Sequence, residues 1–341
     1  MHPALSVIIF TVSSGAGYGL LILMATLHLF GLAGDMSDNE LLTGGIIGLG
    51  LITFGLMSST FHLANPKNAW RAFSRFRTSW LSREGLFAVL VYPFALLYLF
   101  AIWNGGAEVT GFMKFMGVMT ILLSLLTVFS TGMIYGCLKT IRQWNSALTP
   151  ANYILLGLAT GSVLLVAIRA SFGGELKAAA TLSFALLMIA LVLKAIYYFW
   201  IARVTGPTIR TATGFTRANV RLLDVGHTAG TFLTEEFGYQ PEHTTVVLFK
   251  TLVFVLGFIL PGVLVYGMID GEGSTAAAIT AAVCALIGTG LERWLFFAEA
   301  RHVVNLYHGA QHTRSGTDVP PARRLPHAGV LRFGPGFELT Q

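Results

Sequence analysis

The sequence predicts an all-α integral membrane protein, a bundle of about eight transmembrane helices with long loops on one face. Three observations carry this prediction. Hydrophobic residues make up 54% of the 341-residue chain. Charged residues make up only 11%, against roughly 25% in soluble domains, too few to cover a water-exposed surface of this size. Apolar runs of about 20 residues recur along the chain, the length that crosses a roughly 30 Å hydrocarbon core at 1.5 Å rise per residue.

Taken in order, the apolar windows predict helices near 4–32, 41–63, 84–103, 110–138, 150–170, 178–201, 244–268 and 275–299. The first begins almost at Met1, and no Lys or Arg precedes Lys67. A secretory signal has a basic start and a short apolar stretch, so this segment is expected to be a retained span. Pro93 and Pro261 fall inside spans, where neighbouring helices can re-satisfy the freed backbone groups. The string GAGYG at 15–19 has no strand before it and lies within an apolar span, so it carries no dinucleotide-binding signal. Gly44 and Gly48, with Gly45, Gly50 and Gly55, are expected to form small-residue faces for close helix contact.

The net charge of +6 does not call for nucleic acid. Sixteen of the 22 Lys and Arg lie in segments 64–83, 139–149, 202–243 and 300–341, on the side shared by both termini. The opposite loops hold only Lys177. Basic residues concentrate in cytoplasmic loops, so both termini and every long loop are expected in the cytoplasm, at the inner membrane. The loop 202–243 mixes Phe215, Leu222, Leu223, Phe232, Leu233 and Phe237 with polar residues, and reads as a docking surface for a soluble partner. The two cysteines, Cys137 and Cys284, fall short of the four thiolates an iron–sulfur cluster usually takes.

Between the second and third spans the chain reads FHLANPKNAWRAFSRFRTSWLSREG. Trp70, Phe73, Phe76 and Trp80 recur at helical spacing, with Arg71, Arg75 and Arg77 on other faces. Such a pattern suits a helix lying at the headgroup level, or a basic surface helix holding anionic lipid. His62 and Glu84 flank it at the membrane boundary. Ionisable residues there are costly and mark a proton, ion or substrate path. A histidine can bond a quinone carbonyl and pass a proton, and a carboxylate beside it can relay that proton.

Of the other embedded charges, Lys114 and Arg169 fall near helix ends and are expected to snorkel. Glu292 and Arg293 are sequence neighbours, which do not share a helix face, so Glu292 is expected to pair elsewhere and to stabilise the bundle. Haem would need paired axial histidines on facing helices. His28 has no partner on its side, and only His62 with His302 could meet near the other.

The opening HPALSVIIFTVSSGAGYGL, the central block quoted above, the loop segment RLLDVGHTAGTFLTEEFGY and the late run ERWLFFAEARHVVNLYHG resemble the DMSO reductase anchor subunits, the DmsC branch of the NrfD-like membrane proteins. The resemblance covers residues 2–309 and makes 1–309 one eight-helix domain, with 310–341 as a separate cytoplasmic tail. It implies a haem-free subunit of a three-part complex. The implied partners are a ferredoxin-like subunit with four [4Fe-4S] clusters and a catalytic subunit with a molybdenum bis-pterin cofactor. Electrons would pass between those clusters and a quinone, ubiquinone or menaquinone, bound in the anchor. The family ties the positions matching His62 and Glu84 to the quinone site, and Arg71 joins this expected set. The branch serves enzymes that reduce dimethyl sulfoxide and others that oxidise sulfite; SWLSREG resembles the sulfite-oxidising group. Two other classes compete: a secondary transporter, for which broken helices should match between two halves, and an anchor with no redox site.

The charge asymmetry makes a direct prediction. A fluorescent reporter fused after Gln341 should fluoresce, and alkaline phosphatase fused there should be inactive. The opposite pattern would invert the topology.

Overall fold

The computed structural model describes residues 2–32, 34, 36–61, 66–204, 208–215, 220, 223, 237–270 and 273–308. Among the described residues, eight helices are long and apolar enough to cross a membrane. They are α1 Leu5–Phe30, α2 Asp38–Thr60, α3 Trp80–Gly105, α4 Gly111–Gly136, α5 Leu148–Ser171 and α6 Lys177–Arg203, followed by α7 over His243–Tyr266 and α8 Thr275–Ala298. The predicted spans are therefore all present, and no β-strand occurs among the described residues. The chain is a multi-pass membrane protein.

Short polar side chains start several of these helices. Ser37, Ser79, Thr110 and Ser274 each accept a hydrogen bond from a backbone N–H in the first turn, satisfying a donor that the helix cannot. Gly31 ends α1 at φ 61°, a left-handed conformation that glycine adopts without strain. Alternate helix ends collect on two faces. One face bears the short turns after α1, α3, α5 and α7; the other, the loop face, bears the longer connections.

At the centre stand α1 and α5. α1 packs on α2, α4, α5 and α8, while α5 also meets α4, α6 and α8. Glycine makes the α1–α5 contact possible. A methyl group at Gly19 would overlap the Gly157 carbonyl, and one at Gly161 would overlap the Gly19 backbone. The GAGYG string is thus a helix-packing surface. Gly17 meets Gly48 of α2, and Gly45 and Gly55 lie against Leu99 and Phe10. Gly50 departs from expectation: a methyl there meets nothing within 4 Å, so it belongs to no packing face. Towards the turn face the two central helices are filled with buried apolar side chains, Leu20 to Ala25 on α1, and Val163 with Leu165 to Ile168 on α5. The outer helices expose Leu96, Phe100, Ile189, Val192 and Val263, the surface expected to meet lipid.

The two span prolines behave differently. Pro93 sits within the continuous helix α3. Pro261 follows a π-helical turn at Val255–Ile259 in α7, which accommodates its missing N–H. Only the Pro261 helix is interrupted, unlike the matched pairs of broken helices in repeat-built transporters.

Overpacking should be costly where the backbones touch. Gly161→Ala is expected to lower stability by about 1–3 kcal/mol, read as a lower thermal transition in detergent. Gly50→Ala, which fills open space, should leave the transition unchanged.

Candidate functional site

The interfacial segment forms a 3-10 helix over Pro66–Arg75, packed on α3. Trp70, Phe73 and Phe76 remain exposed, while Trp80 instead begins α3 and meets Phe129 of α4 edge-on at 5.7 Å. Arg83 fixes the segment to α3: it donates to the carbonyls of Phe76 and Arg77 at 3.0 and 2.8 Å and lies over the Trp80 ring. Phe76 also meets Phe87 edge-on at 5.8 Å. The sequence pattern singled out the surrounding arginines and missed Arg83, because its partners are backbone carbonyls with no residue signature.

Glu84 lies in the second turn of α3 and is only 5% exposed. Its carboxyl oxygen Oε1 is 2.5 Å from the Thr131 hydroxyl of α4. That hydroxyl is also 3.0 Å from the Thr127 carbonyl. One hydroxyl proton cannot fully serve two acceptors. When Glu84 carries a proton it can donate to Thr131, and Thr131 to Thr127, so both contacts are met. No ion pair joins Glu84 to a cation among the described residues. Arg71 is exposed, with its guanidinium 5.7 Å from the Trp70 ring centre, so the structure does not bring Arg71 to Glu84. His62 lies outside the described residues.

A second group of charges lies deep between α6 and α8. Lys194 Nζ is 2.5 Å from Glu292 Oε1, with both side chains 1% exposed. Glu292 therefore pairs with another helix, as expected. The Arg293 guanidinium nevertheless reaches back to 3.5 Å from Glu292 Oε2 and stacks 3.6 Å over the Tyr153 ring of α5. Nearer the loop face, Lys250 pairs with Glu299 at 2.7 Å. Tyr135, Trp144, Phe296 and Phe297 wall this region: Tyr135 meets Trp144 edge-on at 5.1 Å, and Trp144 stacks on Phe296 at 5.1 Å while donating to its carbonyl.

At the turn face the charges are structural. Arg169 does not snorkel, contrary to expectation. It is fully buried, 3.1 Å from Glu40 of α2, and donates to the Glu175 carbonyl at 2.9 Å. α5 delivers it beside an acid from another helix, which solvates it better than a reach to the headgroups. Lys114 is exposed. His28 engages both ring nitrogens, with the Tyr98 hydroxyl at 2.6 Å and the Ala107 carbonyl at 2.7 Å. Asp38 accepts from the Ala107 N–H at 2.6 Å. His302 stacks on Phe237, and its Nδ1 accepts from the Val304 N–H. Of the proposed docking loop, Phe215 and Leu223 are exposed; Leu222, Phe232 and Leu233, like the tail 310–341, lie outside the described residues.

Comparison with known proteins adds two findings. The model of the family described as DMSO reductase anchor subunit (DmsC) matches residues 1–298. The C subunit of a sulfite dehydrogenase from Allochromatium vinosum is 34% identical over 322 residues, covering 90% of this chain and 99% of that protein.

The buried triad predicts an asymmetry between its members. Glu292→Leu leaves Lys194 and Arg293 buried together without their acid and should destabilise by about 3–5 kcal/mol. Lys194→Met leaves Glu292 with Arg293 and should cost less. Thermal unfolding of the two variants side by side checks the order; equal transitions would contradict it.

Proposed function

The chain belongs to the DMSO reductase anchor subunit (DmsC) family, and from that premise we propose that it is the quinone-reactive membrane anchor of a molybdopterin iron–sulfur oxidoreductase. In this reading it passes electrons between a ferredoxin-like subunit with four [4Fe-4S] clusters and the quinone pool, on behalf of a molybdopterin subunit that oxidises sulfite. The similarity to a sulfite dehydrogenase subunit supports the choice of substrate. The family description supports the reverse flow, quinol oxidation for a DMSO reductase, as the second reading.

One observation carries the quinone assignment. Glu84 is a buried carboxyl with no cation beside it among the described residues, one turn inside the helix that starts under an aromatic interfacial segment. Buried charges are otherwise paired, as Arg169 and Lys194 are in this bundle. A carboxyl kept unpaired at a membrane boundary suits proton exchange better than bundle support. Quinone reduction consumes two electrons and two protons. His62 would bond a quinone carbonyl, and Glu84 would supply or remove the proton. The exposed Trp70, Phe73 and Phe76 would guide the lipid-dissolved ring to the boundary, with Arg71 at its polar edge. The clusters and the molybdenum belong to the partner subunits: Cys137 and Cys284 lie on different helical regions, one exposed and one half-buried. The loop face, with 202–243 and both termini, would meet those partners in the cytoplasm.

His62→Ala and Glu84→Gln should each lower quinone-linked turnover by at least about tenfold, the scale of one hydrogen bond to a charged or reacting group. Turnover with an artificial dye, which bypasses the membrane, should stay near normal in the assembled complex. Full quinone-linked turnover in either variant would place the site elsewhere.

A further inference from the structure

A narrow cleft runs into the bundle beside Glu84. Its walls include Tyr18 of α1, Thr131 of α4, Tyr153 and Thr160 of α5, and Thr289 and Arg293 of α8, and it has room for about one water molecule. Thr131, the hydroxyl bonded to Glu84, forms one end. Arg293 forms another. Arg293 is 2% exposed, yet among the described residues its Nε and Nη1 find no hydrogen-bond acceptor, and neither does the Tyr153 hydroxyl. Glu292 Oε2, 3.5 Å from Arg293 Nη1, is likewise without a hydrogen-bond donor. Buried donors and acceptors in this number are rare unless ordered water serves them.

We propose that the cleft is a hydrated proton station beside Glu84, whose water exchanges protons with Glu84 through Thr131. The proposal rests on Glu84 being the quinone-linked group. When Glu84 gives its proton to a reduced quinone oxygen, Thr131 passes its hydroxyl proton to the carboxylate and takes another from the water in the cleft. The proton that this water gives up is replaced from solvent water at the loop face. Two such cycles match the two electrons that the iron–sulfur partner supplies, and quinol oxidation runs the same transfers backwards. Arg293 keeps its proton throughout and is a positioning residue: its Nε–H, without an acceptor among the described residues, would hold the water oxygen. Glu292, between Lys194 and Arg293, offsets their charge, so an arriving proton does not meet unbalanced cations. Tyr18 of α1 and Tyr153 of α5 line the cleft, and Tyr153 stacks with both Arg293 and Tyr135 of α4.

The test measures quinone-linked and dye-linked turnover of the assembled complex in native membranes, in light and heavy water. Thr131→Val is expected to slow quinone-linked turnover by about tenfold and to enlarge its solvent isotope effect, with dye-linked turnover unchanged. Thr131→Ser, which keeps the hydroxyl, should restore both. Tyr153→Phe should move both readouts in the same direction as Thr131→Val, and carries the test alone if the valine variant does not assemble. If Glu84→Gln retains quinone-linked turnover, the reading of Glu84 itself fails. If Glu84→Gln is inactive while Thr131→Val and Tyr153→Phe match the wild type in rate and isotope effect, Glu84 stands and the relay is overturned.

Discussion

Gly15 and Gly19 on α1 lie against Gly157 and Gly161 on α5 with no side chain between the backbones, and the arrangement of the other helices follows from that contact. In lipid there is little hydrophobic gain from bringing two apolar helices together, so close backbone approach and the dispersion it allows must hold them. Once α1 and α5 touch, α2 can lean on α1 through Gly17 and Gly48, and α4 and α8 can flank the pair. The same closeness excludes lipid from the groove around Thr131, Tyr153 and Arg293, and lets polar groups sit at a depth where an outer helix would have to expose them.

Charge in this bundle is therefore distributed by helix adjacency. Two fully buried cations each have an acid delivered from a different helix: Glu40 for Arg169, Glu292 for Lys194. Glu84 has a hydroxyl instead. A carboxyl bonded to a hydroxyl can change its protonation state without leaving an uncompensated ion on its neighbour, whereas a carboxyl locked to an ammonium cannot. That difference separates groups that hold the bundle together from a group suited to exchange protons.

The spans were legible because an apolar window depends only on the residues inside it. All eight appear in the structure within a few residues of their expected positions. Pairing between helices was not legible. Lys114 and Arg169 look alike in sequence, each near the end of an apolar segment; one is exposed and the other fully buried against Glu40. Only the adjacency of α2 and α5 distinguishes them. Thr131 was equally hidden. Several span threonines, Thr11, Thr120 and Thr127 among them, bond the carbonyl four residues back, and Thr131 does the same. Its contact with Glu84, 47 residues away, leaves no local mark. Glu84 itself could be found, since an acid in the first turns of an apolar helix is conspicuous, but the same reasoning enlisted Arg71, whose side chain turns outward.

The apolar stretch shared by Leu20–Ala25 and Val163–Ile168 makes the central pair of helices a poor path for charge along their own length. The buried charges Glu84, Arg293, Glu292 and Lys194 belong to the half nearer the loop face, while the pairs at the turn face close on themselves. Between the two lies packed hydrocarbon with no hydroxyl, amide or charged side chain on these stretches of the central helices. A proton or ion that enters from the loop face finds no side-chain partner along these stretches of the two central helices.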